Sequence, residues 1–288
     1  MEFVDKRFIY WAAEREAVRQ RRTAGYPREQ WSVDPIFHEN RFCNVAREDD
    51  RTTIWIKQNI RDPFDQAGDE FAMFQAIALS RFFNLPESLG KLIEEGVLTP
   101  NKKLDLHDVH EVISTHAASA KETRAFSPAY MVGAPDNHRT YEFGFDKPAY
   151  VCGVLNAVVM PTARTRQGFV EELCKQFGFA EFMSGQIAAD LAYTSVLRDA
   201  PDHMTWAPRG PGAMRGMNRA IGQPIERKIP RDEYLAVGIA QMALLPPEIV
   251  EGRNLTLHDV ASNVNCESFK YMRAADGTRG RRKFSPKS

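Results

Sequence analysis

The chain has 288 residues and equal numbers of basic and acidic side chains, so its overall field offers no general attraction to nucleic acid. A hydrophobic share of 43% beside 26% charged residues fits a globular protein with a substantial core and excludes a disordered class. The opening Met1-Glu-Phe-Val-Asp-Lys-Arg7 lacks the layout of a secretion signal, and no apolar run reaches membrane-spanning length, so no membrane association and a cytoplasmic location are expected.

Residues 3–22 contain neither Gly nor Pro and predict a helix closed by Gly25 and Pro27. On it Trp11, Arg15, Arg19 and Arg22 fall within an arc of about 80°. Such a stripe suits a phosphate backbone or an anionic ligand; it equally suits a solvated basic face above a core Trp. A second helix is predicted over 35–57, and within it Arg41-Phe-Cys-Asn-Val-Ala-Arg-Glu-Asp-Asp-Arg51 concentrates polar groups. Helical phasing puts Asn44, Arg47, Glu48 and Arg51 on one face and Phe42, Val45, Ala46, Thr53 and Ile56 on the other. Asp49 falls in the apolar stripe, where it must be paired or protonated.

Further helices are predicted at 69–84, 87–95, 106–118, 166–176, 180–197, 231–243 and 256–273. The apolar run 150–160 reads as a strand or as a buried helix. The stretch 119–149, rich in Pro, Gly and aromatic residues, is expected to connect an N-terminal helical lobe (1–118) to a C-terminal one (150–288). Cys43, Cys152, Cys174 and Cys266 are scattered and are expected to be free, mostly buried thiols rather than zinc ligands or disulfides. His107, His110 and His116 do not form the spacing of a helical metal site, and no metal is expected.

No phosphate-binding Gly-x-x-x-x-Gly-Lys-Ser/Thr loop and no Gly-x-Ser-x-Gly elbow is present. The segment 207–216 instead holds Gly210, Gly212 and Gly216 between Arg209 and Arg215; it can cradle a phosphate, or its glycines can allow a tight turn and close backbone approach. Residues 176–187 give a helix, a Gly turn and a second helix, compatible with a degenerate helix-hairpin-helix. On that second helix Gln186, Asp190 and Tyr193 align, with Asp190 at the rim of the core as a general base or an inert ion-pair partner. From Arg273 onward Arg279, Arg281, Arg282, Lys283 and Lys287 face the single acid Asp276, giving a phosphate-contacting patch or a solvated tail.

Several segments in order carry a resemblance: Tyr10-Trp-Ala-Ala-Glu-Arg-Glu16, Arg41-Phe-Cys-Asn-Val45 with Arg47 to Arg51, Phe83-Asn-Leu-Pro-Glu87, Ala129-Tyr-Met131, Gln186-Ile-Ala-Ala-Asp-Leu-Ala-Tyr-Thr194, Gly210-Pro-Gly-Ala-Met-Arg-Gly216 and Cys266-Glu-Ser-Phe-Lys-Tyr271. Together they resemble the phage DNA-base hypermodification family of α-glutamyl/putrescinyl-thymine pyrophosphorylase-like proteins, which includes amino acid:DNA transferases and the helical domain of 5-hydroxymethyluracil DNA kinases. The resemblance implies a mainly α, two-lobed protein distantly similar to helix-hairpin-helix DNA glycosylases, acting in an infected bacterial host. It implies displacement of phosphate from 5-phosphomethyluracil in duplex DNA by the amine of an amino acid, glycine first. No cofactor beyond that co-substrate and a functional link to a 5-hydroxymethyluracil DNA kinase are implied. Phe269 departs from the family's commoner Asp at that place in the ending.

On this reading the base is flipped out of the stack, and positive groups meet the departing phosphate. Asp190 would deprotonate or orient the amine, with Arg15, Arg47, Glu48 and Asp49 completing the catalytic set and Arg51 gripping anions. Trp11, Glu14, Asn44, Gln186 and Tyr193 would bind substrate. Arg209, Gly210, Gly212, Arg215, Lys270, Arg281, Arg282 and Lys283 would contact DNA. Addition of Cys43 or Cys266 to C6 is a lesser route. A glycosylase-like hydrolase using Asp190, Asp199 or Asp202, and a non-catalytic DNA-binding partner of the kinase, are the competing readings; Glu181 in place of a turn lysine speaks against a Schiff-base lyase.

Overall fold

A computed structural model describes residues 4–119, 124–127 and 146–278, and among these every regular element is helical. The ends of the helices follow from local chemistry. Asp5, Asp34, Asp69, Asp105, Asp146 and Thr165 each turn a side-chain oxygen onto an amide of the first turn, which satisfies one of the amides a helix leaves unpaired. Pro35, Pro86 and Pro211 stand in the first turn, where a missing N–H costs nothing.

The chain divides into two compact units: Met1–Asp50 with Pro201–Ser288, and Arg51–Ala200. The connection expected at 119–149 is therefore not the boundary. The reason lies in what the terminal helices bury. In the first unit α1 (Lys6–Thr23) packs on α14 (Asn265–Ala275), and Phe8, Trp11 and Ala12 share one core with Val260, Val264, Tyr271 and Met272. This unit also holds α2 (Pro35–Glu39), α11 (Pro211–Ala220), α12 (Arg231–Met242) and the short α13 (Pro247–Val250), and a π-helical run, Asp259–Val264, leads straight into α14.

In the second unit α3 (Arg51–Ile56), a π-helical turn (Lys57–Arg61) and α4 (Asp62–Ala67) follow without a break. They precede α5 (Glu70–Phe83), which is buried from Ala72 to Phe83 and forms the axis of the unit. Around it pack α6 (Pro86–Glu94), α8 (Lys147–Ala157) and α10 (Glu181–Leu191); α7 (Leu106–Ala118) lies against α6 and α8, and α9 (Arg166–Cys174) against α10. Both sides of the 119–149 stretch thus serve one core. The run 150–160, open between strand and helix, is helical through Ala157.

Two further expectations fail. The helix over 35–57 is interrupted: it stops at Glu39, residues 41–46 are irregular, a single 3-10 turn covers Arg47–Asp49, and helix resumes at Arg51. Side-chain bonds between Asn44 and Asp50 compete with the helical ladder there. Conversely the Gly-rich segment is irregular only through Gly210 and is helical, as α11, from Pro211 on. Its glycines allow contact with α14: a Cβ on Gly212 would lie 2.8 Å from Cys266 Sγ, and one on Gly216 only 1.9 Å from the Asn265 carbonyl oxygen. Glycines four residues apart put one helix edge against the backbone of the other.

Replacing Gly216 by Ala is expected to separate α11 from α14 at a cost of about 1–3 kcal/mol, the usual range for overpacking. Chemical denaturation measures it, and an unchanged midpoint would refute the close-approach account.

Candidate functional site

In the first unit the irregular stretch after α2 folds around Asn44. Its backbone N–H donates to Asp50 Oδ1 at 2.8 Å, and its Nδ2 donates to the same oxygen at 3.1 Å and to the Asp49 carbonyl at 2.7 Å. Asn263 Nδ2 donates in turn to the carbonyls of Asn44 (2.7 Å) and Val45 (3.2 Å). From α1, Arg15 reaches the same stretch, with Nε on the Cys43 carbonyl at 3.0 Å and Nη2 on that of Phe42 at 3.5 Å. The Trp11 ring meets Phe42 edge-on, centroids 6.1 Å apart.

Three buried polar atoms of these residues have no partner in the protein: Trp11 Nε1, Arg15 Nη1 and Asn44 Oδ1. Two are donors, one of them on a guanidinium, and one is an acceptor. Leaving such groups unanswered costs about 1–3 kcal/mol each.

Burial shifts several titratable groups around this turn. Burial pushes the Asp50 carboxyl up to about 6, opposed by the Asn44 N–H and by Arg15 and assisted by Glu267. Burial lowers Arg15 from its usual value, helped by Arg22. Cys43 and Cys266 reach solvent. Desolvation first and then nearby Glu267 hold both thiols above their ordinary range, Cys266 at about 11. The thiols expected to be mostly buried are buried only at Cys152.

Around this turn the other expected residues take supporting places. The Arg47 N–H donates to Asp259 Oδ1 at 3.1 Å. Asp49, expected to need a counter-ion, has one in Arg253, with Arg19 Nε at 3.6 Å. Glu14 pairs with Arg21 at 3.1 Å and Glu48 is half-buried. The stripe drawn on α1 is thus neither a continuous solvated face nor a free phosphate grip: Trp11 and Arg15 are buried, Arg19 is held by Glu16, and Arg22 lies over the Trp31 ring at 4.9 Å.

Asp190 belongs to the second unit, and Arg15 and Arg47 to the first. It sits not at the rim of its core but fully inside it, on α10. Arg81 of α5 grips it through two bonds, Nη2 to Oδ1 at 2.7 Å and Nε to Oδ2, while Arg61 Nη1 stands 3.8 Å away. Arg81 also donates to Asn84 Oδ1 at 3.2 Å and Thr53 Oγ1 at 3.3 Å. A carboxylate so held suits fixing α5 to α10, in line with the ion-pair alternative for Asp190. Gln186 is buried on the same helix; Tyr193, just past its end, is partly exposed beneath the Arg61 guanidinium at 4.7 Å. The π-helical turn widens the helix at Lys57–Arg61 and brings Ile60 and Arg61 inward.

A family model described as "5-hmdU DNA kinase, helical domain" matches residues 2–280. The chain belongs to this family. No curated protein and no solved structure matches it. Membership in the 5-hmdU DNA kinase helical-domain family gives the chain a role related to that domain in DNA modification. Of the residues expected to touch DNA, Gly210 caps α11 and Gly212 packs on Cys266; Arg209 Nη1 donates to the Ile229 carbonyl at 3.4 Å and Arg215 pairs with Glu226 at 3.0 Å. Lys270 is exposed; it donates to the Arg41 carbonyl and lies 5.0 Å above the Phe42 ring. Arg51 is exposed at the start of α3. Arg281, Arg282 and Lys283, like Ala129-Tyr-Met131, lie outside the described residues. Among the described residues no three His, Cys, Asp or Glu side chains are placed to hold a metal, and no helix is long and apolar enough to cross a membrane.

Asp50, Arg61 and Arg81 were not singled out by sequence, although Arg81 had a signal: an arginine inside Phe71-Ala-Met-Phe-Gln-Ala-Ile-Ala-Leu-Ser-Arg-Phe-Phe83, a segment too apolar to leave it in solvent, demands a buried partner. Replacing Asp190 by Ala is expected to cost about 3–5 kcal/mol, because it strands the Arg81 charge in the core. Thermal and urea unfolding read this out; a neutral effect would show that the pair does not hold α5 to α10.

Proposed function

We propose that the chain is an amino acid:DNA transferase that replaces the phosphate of 5-phosphomethyl-deoxyuridine in duplex DNA with the amine of an amino acid, glycine being favoured. The observation that carries this reading is that Arg15 Nη1 and Asn44 Oδ1 are both buried and unpartnered, Arg15 reaching from α1 to the stretch that holds Asn44 and Asp50. A zwitterion complements both. Its carboxylate accepts from Arg15, its ammonium donates to Asn44 Oδ1, and Asp50 takes the ammonium proton. Membership in a DNA-modifying family supplies the second substrate.

The target base must leave the stack for its 5-methylene carbon to be attacked. The freed amine forms the N–C bond as the C–O bond to phosphate breaks, and phosphate leaves with the bonding pair. Direct displacement is favoured over addition of a cysteine to C6, because Cys43 and Cys266 are held in their protonated, weakly nucleophilic form. Phosphate departure from an alkyl carbon calls for cationic support, for which Arg47 and Lys270 are the candidates in the first unit.

The test is incubation of the protein with duplex DNA carrying 5-phosphomethyluracil and each amino acid in turn, followed by digestion and mass measurement of the nucleosides. An N-linked glycinyl-thymidine is the expected product. An abasic site would replace the reading by base excision, and unchanged but bound DNA would replace it by a non-catalytic partner of a 5-hydroxymethyluracil DNA kinase.

Asp50 gives a sharper prediction. Its rate contribution requires the ionised form, so turnover should rise with pH through about 6. Its folded pKa lies above the unfolded one, so its stabilising contribution exists below the unfolded carboxyl range and disappears as pH rises through about 6. Asp50→Asn, which keeps an oxygen for both Asn44 bonds, should therefore be at least as stable as the parent at pH 7.5 while turnover falls about 100-fold or more. Stability measured beside single-turnover rates decides it; undiminished turnover would remove Asp50 as the base.

A further inference from the structure

The irregular stretch after α2 is held by a row of side chains from a single helix face. Asp259, Asn263, Glu267 and Lys270 stand four, four and three residues apart along the π-helical run and α14, so they line one edge of it. They answer the backbone of the stretch in reverse order. Asp259 Oδ1 accepts from the Arg47 N–H at 3.1 Å, and Asn263 Nδ2 donates to the carbonyls of Val45 at 3.2 Å and Asn44 at 2.7 Å. Glu267 Oε2 accepts from the Cys43 N–H at 3.0 Å, and Lys270 donates to the Arg41 carbonyl. A backbone that has left the helix must find such partners elsewhere.

Glu267 does more than hold the chain. Its side chain is 13% exposed. Cys43, whose N–H it takes, adjoins Asn44, whose N–H goes to Asp50 Oδ1 at 2.8 Å. Two neighbouring amides are thus given to two carboxylates. Burial is the main force that drives Asp50 toward its neutral form; the Asn44 N–H, Arg15 from α1 and Arg47 from the adjoining turn oppose it, and Glu267 from α14 reinforces it. Lys270 stands 3.7 Å from Glu267, longer than a close charged pair, and also bonds the Arg41 carbonyl, so it neutralises Glu267 only in part.

We propose that Glu267 is a positioning residue that holds Asn44 toward Asp50 and sets how readily Asp50 takes a proton. Neighbouring carboxylates resist being ionised together, so the charge on one makes the other the stronger base. The catalytic meaning of this placement rests on the reading of Asp50 as the base. Glu267 acts through Asp50 and not on the reacting atoms.

The full chain, isotope-labelled at its aspartate carboxyl carbons, is titrated by NMR without amino acid or DNA, the Asp50 signal being the one absent from Asp50→Asn. In the parent it should titrate at about 6. Glu267→Gln keeps an oxygen for the Cys43 N–H but removes the charge, so Asp50 should titrate lower while hydrogen exchange of the Cys43 amide stays as slow as in the parent. Glu267→Ala removes both, and that amide should exchange about ten-fold faster or more, the scale of one lost hydrogen bond to a charged group. In the transfer assay the rise of turnover with pH should move to lower pH in Glu267→Gln, in step with the carboxyl signal, which a merely structural residue would not cause. An Asp50 titration left in place by Glu267→Gln, or a Cys43 amide indifferent to Glu267→Ala, overturns the proposal whether or not glycine is transferred. A titration that moves in a protein forming no adduct upholds the placement of Glu267 and overturns the transfer reading alone.

Discussion

A guanidinium taken out of water has to be answered by oxygen, and the two units of this protein answer it differently. In the second unit Arg81 meets a carboxylate, Asp190, and the opposite charges cancel inside the core. In the first, Arg15 meets two neutral backbone carbonyls, those of Phe42 and Cys43, and keeps one amino group without a protein partner. The first solution is a fastener. The second leaves one guanidinium amino group that the protein does not answer.

The same contrast explains Asp50. Its oxygen takes two bonds from Asn44, but burial raises its pKa above what those bonds and the Arg15 charge can restore. A carboxylate balanced near neutrality can move a proton, whereas one clamped by an arginine cannot.

Much of the architecture was legible in the chain. The helices predicted at 69–84, 87–95 and 106–118 stand at Glu70–Phe83, Pro86–Glu94 and Leu106–Ala118, because Asp69, Pro86 and Asp105 mark their starts. What escaped was set by contacts distant in sequence. Periodicity carried one helix across 35–57, since nothing local reveals that Asn44 will bond to Asp50 and interrupt it. Three glycines made 207–216 resemble a loop, although two of them are small because α14 presses on them. The polar run around Asn44 stood out in the sequence, but its interruption of the helix did not. Yet the residue given the central chemical part, Asp190, lies beside an arginine 109 positions away that no local pattern links to it. Helical phase could align Asp190 with its neighbours but could not show what it faces.

The order of the chain has a consequence for how the molecule is made. The second unit is a continuous stretch, 51–200, inserted between two pieces of the first. During synthesis the inserted stretch can close its core as soon as it leaves the ribosome, while the leading fifty residues, with Trp11 and Arg15 among them, must wait for α14 to emerge. Early formation of the insert brings residues 50 and 201 to fixed positions and shortens the search by which the outer pieces find each other. The turn around Asn44 is therefore assembled after the insert.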